Sequence, residues 1–239
     1  MDTNENNKFL PIAVVVAGLL IAGAVVWNGS RPATGPAGAP PTAAKVDIKN
    51  VKTDGDPFIG RADASVTIAF WSDFQCPYCK AVEVGGIPQI PIVPALPEVI
   101  KNYVDTGKVR IVFMDFVFLG QDSVTAALYN RSVWKLYPEQ YFAWRTAMYT
   151  AQDEEGDQGF GDAASIDKLS ATIAGLDAAK IAADVKANTA TYQAEVDADR
   201  AEAQKMGVNA TPSFIIGTQL IPGAVGYAAL QSVIDPLLK

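Results

Sequence analysis

The hydrophobic pattern divides the chain into an apolar N-terminal stretch, a spacer without periodicity and a long region with the periodicities of a folded domain. Residues 9–27 carry no charge and have about the length that an α-helix needs to cross roughly 30 Å of hydrocarbon. We expect residues 1–8 to form a short cytoplasmic N-terminus, residues 9–27 a single transmembrane anchor, and residues 28–57, rich in Pro, Gly and Ala, a flexible linker. A cleaved signal peptide is the alternative to a retained anchor, although its apolar region is usually shorter.

Residues 58–239 have the pattern of one α/β domain. Apolar, β-branched and aromatic residues predict buried strands at 65–71 and 109–116. Between them, helical stretches at 80–84 and 96–104 are separated by prolines and glycines at 85–94, which break a helix. Apolar spacings of three and four then predict a series of helices, at 123–136, 139–150, 166–174, 178–187 and 192–206. Two short strands and a last helix are predicted at 211–216, 218–221 and 227–238.

The motif Cys76-Pro77-Tyr78-Cys79 follows the first predicted strand, where a helix should begin. The first amides of a helix lack internal partners and favour an anion, which lowers the pKa of a thiol there to about 3.5–7.5. Pro77 suits the first helical position because it has no amide hydrogen to leave unpaired. We therefore predict that Cys76 attacks a disulfide and that Cys79 resolves the mixed disulfide.

Composition removes several other chemistries. The chain has no histidine and two cysteines, which excludes Ser-His-Asp hydrolysis, Cys-His protease chemistry and most zinc sites. A net charge of -7 argues against a nucleic-acid partner. We expect no metal, and no cofactor other than the redox-active disulfide that Cys76 and Cys79 can form. A purely structural pair is the alternative, but so short a ring stabilises little by loop entropy.

Three segments resemble one family. They are Trp71–Lys80 (WSDFQCPYCK), Val104–Phe116 (VDTGKVRIVFMDF) and Gly207–Gly217 (GVNATPSFIIG). Together they are similar to the DsbA-like thiol:disulfide oxidoreductases of the thioredoxin superfamily, over about residues 58–239. The resemblance implies a thioredoxin-like fold with a helical insertion at about 121–187.

The same resemblance implies roles for individual residues. Cys76 is expected to be the exposed nucleophile and Cys79 its partner. Thr211 and Pro212 are expected to form a substrate-binding loop whose cis proline faces the dithiol, although an ordinary strand start is the alternative. Tyr78 stands where many oxidising members carry histidine, so the direction of electron flow stays open.

Two further features have two interpretations each. Asp73, three residues before the first cysteine, is a possible proton relay, or it caps a helix or lies exposed. The segment from Gly85 to Pro94 either shapes a substrate groove or is a surface insertion.

The leading functional hypothesis is an enzyme that oxidises cysteines of exported proteins and is recycled by an unidentified membrane redox partner. Because disulfides persist outside the cytosol, we expect the catalytic domain on the outer side of the cytoplasmic membrane. The charges at Lys8 and Arg31 are too evenly balanced to fix the orientation of the predicted span. The alternatives are a membrane-tethered reductase or isomerase, a non-catalytic polypeptide-binding module, and a dimer that holds an iron–sulfur centre.

Overall fold

The computed structural model describes residues 46–153, 157 and 159–239. The predicted cytoplasmic N-terminus, the predicted anchor at 9–27 and the predicted linker up to residue 45 lie outside these residues. Across the ranges that are described, no helix combines the length and the apolar character needed to cross a bilayer.

Within the described ranges, five strands form one mixed sheet in the order β1-β3-β2-β4-β5. The strands are β1 (Phe58–Ile59), β2 (Val66–Ser72), β3 (Val109–Asp115), β4 (Ser213–Ile216) and β5 (Gln219–Pro222). Strands β2 and β3 are parallel, and the other neighbours are antiparallel. The first residue of β4, Ser213, lies one register position from the end of β2, opposite Trp71, so the C-terminal part of the chain meets the segment that leads to the cysteines.

The described residues also form seven α-helices. They are α1 (Pro77–Glu83), α2 (Ala95–Val99), α3 (Gln121–Leu136), α4 (Tyr141–Ala151), α5 (Ala163–Ser170), α6 (Ala178–Lys205) and α7 (Tyr227–Leu237). Helix α2 continues as a π-helical turn, Ile100–Val104. The order is a βαβ unit, a helical insertion and a ββα unit, which confirms the predicted α/β architecture.

Helix α6 corrects the predicted end of the insertion. The sequence predicts separate helices at 178–187 and 192–206, whereas the structure has one helix over Ala178–Lys205. Asn188 and Thr189, poor helix formers, are accommodated because their side chains donate to carbonyl oxygens one turn earlier in the same helix. The insertion therefore runs to residue 205 and not to residue 187.

The N-terminal boundary of the domain is also earlier than predicted. Val46 and Val51 are buried, and the amide of Ile48 donates to the Gly217 carbonyl at 2.8 Å. Asp47 caps a 3-10 turn, Ile48–Asn50, through the Lys49 amide. Residues 46–57 are thus part of the folded domain, and the assignment of a linker up to residue 57 is wrong for them.

Alternate residues of a strand face opposite sides of the sheet, and apolar clusters cover both sides. Phe70 packs with Phe214 on one face, with ring centroids 4.5 Å apart. Ala69 and Trp71 belong to a second apolar cluster, and the Trp71 indole donates to the Asp199 carbonyl at 3.2 Å. Helix α6 is anchored to the sheet by this contact.

A buried ion cluster joins the insertion to the rest of the domain. Arg131 of α3 is 3% exposed and donates to Asp56 at 2.6 Å, to Asp115 at the end of β3 at 2.9 Å, and to Asp199 of α6. Asp199 also accepts the Asp115 amide at 2.7 Å. Burial alone would lower the pKa of Arg131, but the charges of the three carboxylates raise it above its ordinary value. One guanidinium therefore links four parts of the chain.

Substitution of this arginine should destabilise the fold strongly. Removing one partner of a buried ion cluster leaves the others unpaired, so Arg131→Met is expected to lower the free energy of unfolding by about 3–5 kcal/mol. Urea unfolding followed by circular dichroism measures the change. The matched control is Arg61→Met, which removes an exposed arginine paired with Asp63 and should leave the unfolding midpoint unchanged. Equal effects of the two substitutions would contradict a structural role for the cluster.

Candidate active site

Cys76 lies at the N-terminus of α1, directly before Pro77. Its backbone is extended, with φ −79° and ψ 119°, and its carbonyl oxygen accepts the amides of Cys79 and Lys80, both at 3.1 Å. Pro77 is the first helical residue, as predicted. The strand β2 therefore delivers Cys76 to the helix start, and the first turn brings Cys79 beside it.

The two thiols have different environments. Both cysteines are free in the structure; Cys76 is 3% exposed and Cys79 is fully buried. The hydrogen bond from the Cys79 side chain lowers the pKa of Cys76, with smaller contributions from Thr211 and from backbone amides, against the opposing effect of burial. Burial raises the pKa of Cys79 well above its ordinary value, and the neighbouring Cys76 raises it further. The pair thus contains one thiol biased towards the thiolate and one held protonated.

The expectation of an exposed nucleophile is wrong as stated. Cys76 is a buried residue with a small accessible remainder, because the loop before β4 lies against it. Its thiol donates to the Thr211 carbonyl at 3.5 Å. The peptide bond between Thr211 and Pro212 is cis, as the resemblance implies. Tyr78, in contrast, is 52% exposed on the first turn of α1.

Asp73 is buried beside the cysteines, at 1% exposure. Its carboxylate accepts the Ser123 hydroxyl at 2.6 Å, the Gln75 amide at 2.9 Å and the Phe118 amide at 3.0 Å. Its backbone carbonyl accepts the Cys76 amide at 3.1 Å. Burial raises the pKa of Asp73, while these hydrogen bonds lower it. Among the contacts of the described residues its carboxylate bonds to neither sulfur, so the geometry favours a bracing role over the proton relay.

Comparison with known proteins identifies the family. A family model described as Thioredoxin matches residues 52–236. The chain belongs to the thioredoxin family. It is 26% identical to Disulfide bond formation protein D of Bacillus subtilis over 185 residues, which are 77% of this chain and 78% of that protein.

Solved structures with a similar fold agree with this assignment. The thiol-disulfide exchange protein alpha-DsbA2 of Wolbachia pipientis is 27% identical, with a TM-score of 0.62 over 76% of this chain and 87% of that one. Oxidised BdbD of Bacillus subtilis, 23% identical, shares the fold with a TM-score of 0.69 over 82% of this chain and 98% of that one. The predicted DsbA-like family and the enzyme class, protein disulfide oxidoreductase, are confirmed.

The segment from Gly85 to Pro94 separates α1 from α2, so the predicted helix break is confirmed. A side chain at Gly85, where φ is +74°, would lie 2.8 Å from the Pro94 ring, which shows how closely the two ends of the segment approach. Val93 is 73% exposed. Ile92 of the same segment packs against the apolar cluster that contains Cys76, so the segment has both an exposed and a buried side.

Sequence reasoning missed a buried ion pair behind α1. Glu83 of α1 and Arg145 of α4 are 4% and 1% exposed, and their charged atoms lie 2.6 Å apart. The Arg145 guanidinium also lies 4.2 Å from the centre of the Phe113 ring and donates to Ser72 at 2.7 Å. A single arginine within the apolar helix YFAWRTAMYTA is a signal that could have indicated a buried charge. The pair fixes α4 against the helix that carries the cysteines.

The difference between the thiols predicts selective alkylation. The thiolate is the reactive form, so at neutral pH iodoacetamide should modify Cys76 first and leave Cys79 largely unmodified. Because the pKa of Cys76 is lowered, its rate should fall only below a midpoint that lies under the ordinary value of about 8.5. Peptide mass spectrometry of the reduced protein across pH measures both rates. Faster modification of Cys79 would contradict the asymmetry.

Proposed function

We propose that this protein is a disulfide-forming oxidase whose redox-active centre is the Cys76–Cys79 pair, acting on cysteines of exported proteins. The observation that carries the proposal is the asymmetry of the pair at the helix start: the Cys79 side chain lowers the pKa of Cys76, and burial raises the pKa of Cys79. A stabilised thiolate favours the reduced form of the pair and so makes its disulfide a stronger oxidant.

The exchange begins with the pair oxidised. A substrate thiolate attacks the Cys76 sulfur, the bond to Cys79 breaks, and Cys79 leaves as a thiolate that takes up a proton. The raised pKa of Cys79 favours that proton uptake. A second substrate thiolate then attacks the substrate sulfur of the mixed disulfide and expels Cys76. The substrate loses two electrons, and the cysteine pair gains them.

The loop at Thr211 and Pro212 is proposed to bind the substrate segment. It leads into β4 and lies within hydrogen-bonding distance of Cys76. An extended chain placed beside the nucleophile can pair with loop backbone, as in other cases of strand addition. The exposed ring of Tyr78 offers apolar contact next to it.

The cellular setting is proposed from the sequence and the relatives. The uncharged residues 9–27 support a single-pass anchor in the cytoplasmic membrane, and the name of the Bacillus subtilis relative supports a role in disulfide formation. The catalytic domain is then extracytoplasmic, with exported proteins as substrates and a membrane redox partner that reoxidises Cys76 and Cys79. The disulfide of this pair is the proposed redox group, without a metal or further cofactor.

The anchor is tested on the full chain. In cells that produce it, the protein should sediment with membranes, and protease added to intact spheroplasts should degrade the domain from residue 46 onward. Resistance to protease until the cells are lysed would place the domain in the cytosol and contradict the proposed topology.

The direction of electron flow is tested by equilibrium titration against glutathione. An oxidase should have a reduction potential well above the value of about −270 mV found for thioredoxin. Refolding of a reduced substrate should then be accelerated more than insulin reduction. A potential at or below that of thioredoxin would instead indicate the reductase or isomerase.

Single cysteine substitutions test the assigned roles. Cys76→Ala is expected to abolish exchange, because the sulfur that forms the mixed disulfide is lost. Cys79→Ser should accumulate a mixed disulfide at Cys76 when it is mixed with a disulfide-containing protein, because the resolving thiol is missing. Non-reducing electrophoresis with mass spectrometry detects this species. Full activity of Cys76→Ala would indicate a non-catalytic polypeptide-binding module.

A further inference from the structure

Hydrogen bonds in both directions join the end of α4 to the start of α1. Gln152, the residue after α4, is 5% exposed, and its Nε2 donates to the carbonyl oxygens of Phe74 at 2.6 Å and of Cys76 at 3.1 Å. In the opposite direction, Lys80 Nζ donates to the main-chain carbonyl of Gln152 at 2.6 Å. Gln152 thus pairs main-chain carbonyls at the start of α1, and Lys80 of α1 pairs the main-chain carbonyl at the end of α4.

Gln152 differs from the other donors to the same carbonyl. The Cys76 oxygen also accepts the amides of Cys79 and Lys80, but both belong to the first turn of α1. In the described part of the chain, Gln152 is the one donor to this oxygen from another element. Through it, the helical insertion fixes the backbone of the nucleophile.

Some buried polar atoms near this contact have no hydrogen-bond partner among the described residues. Among the described residues, three buried side-chain atoms lack a hydrogen-bond partner: Gln75 Oε1, Gln152 Oε1 and Thr211 Oγ1. Each belongs to a residue next to Cys76 in sequence or bonded to its backbone or thiol. An unpaired buried acceptor destabilises a fold, and local rules are broken most often at functional sites. An apolar side chain of similar length would remove the unpaired Oε1 of Gln152, but it would also take this donor away from the Phe74 carbonyl.

We propose that Gln152 is a positioning residue for the redox exchange, which holds the Cys76 backbone at the start of α1 through the Cys76 carbonyl. This inference rests on the proposed function, in which Cys76 forms the mixed disulfide with the substrate and leaves as a thiolate. Unpaired amides at a helix start favour a thiolate, so a Cys76 backbone that is held at the start of α1 favours the reduced form of the pair.

The test is Gln152→Met, which keeps the length of the side chain and removes the donor. The equilibrium with glutathione should shift towards the protein disulfide by about threefold or more, the change that corresponds to half a pKa unit at Cys76. The fraction of Cys76 thiolate at neutral pH, followed by its ultraviolet absorbance, should fall in parallel.

The control is Ser132→Ala. Ser132 is also buried, but its hydroxyl donates to Asp184 at 2.9 Å, a contact within the helical insertion that involves neither cysteine. Its substitution should lower stability and leave the glutathione equilibrium within error of the wild type. An equal shift in both variants would mean general loosening and would overturn the proposal, as would an unchanged equilibrium in Gln152→Met.

Two outcomes separate this inference from the function on which it rests. A wild-type protein that does not equilibrate with glutathione overturns both, whereas a normal wild type with an unaffected Gln152→Met overturns the positioning role alone. If Gln152→Met does not fold, nuclear magnetic resonance of the wild type decides. The Gln152 side-chain amide protons should exchange slowly and shift between the reduced and oxidised forms, and the absence of that shift overturns the role.

Discussion

The position of the helical insertion depends on the ion pairs of the buried Arg131 guanidinium. It joins α3 to the end of β3, to α6 and to the N-terminal segment through three carboxylates that are themselves buried. A charge removed from water is stable only when its partners are in place, so separating the insertion from the sheet would leave Arg131 or its carboxylates unpaired. Helix α4, which follows α3, is then held by the second buried pair, Arg145 with Glu83. The Arg131 cluster and the Arg145–Glu83 pair bring the end of α4 to the start of α1, where Gln152 donates to the carbonyl of Cys76.

Much of the fold follows from local sequence patterns. The strands β2 and β3 carry continuous apolar runs because parallel strands are buried on both faces, and the prolines between residues 85 and 94 end a helix by simple sterics. The two errors have one cause, which is tertiary context. Residues 46–57 look like a tether until Ile48 pairs with Gly217, and residues 188–191 look like a break until Asn188 and its neighbours bond back to their own helix.

Some residues of the candidate site can be predicted from local sequence patterns, and others arise only from tertiary packing. Cys76, Cys79 and Pro77 are visible in the sequence because a dithiol at a helix start is a short-range motif, and the resemblance supplies Thr211 and Pro212. Gln152 is not visible, because a glutamine at the end of a helix has no local signature. Its role arises only from the packing of α4 on α1, across a separation in sequence of 76 residues from Cys76. Asp73 is visible in the sequence as a candidate, whereas the three hydrogen bonds that brace its carboxylate, from Gln75, Phe118 and Ser123, arise from the fold.

Because Tyr78 stands in place of a histidine, stabilisation of the Cys76 thiolate depends on the other contacts to Cys76. Where the residue between the cysteines is histidine, the resemblance implies that part of the thiolate stabilisation comes from that side chain, and Tyr78 is half exposed on the surface. The pKa of Cys76 is nevertheless lowered, first by the Cys79 side chain and then by Thr211 and backbone amides. Those contacts depend on where the Cys76 backbone lies, and that position is shared between α1 and the insertion. In this chain, therefore, the oxidising strength proposed for the pair is a property of how the insertion packs as much as of the motif itself.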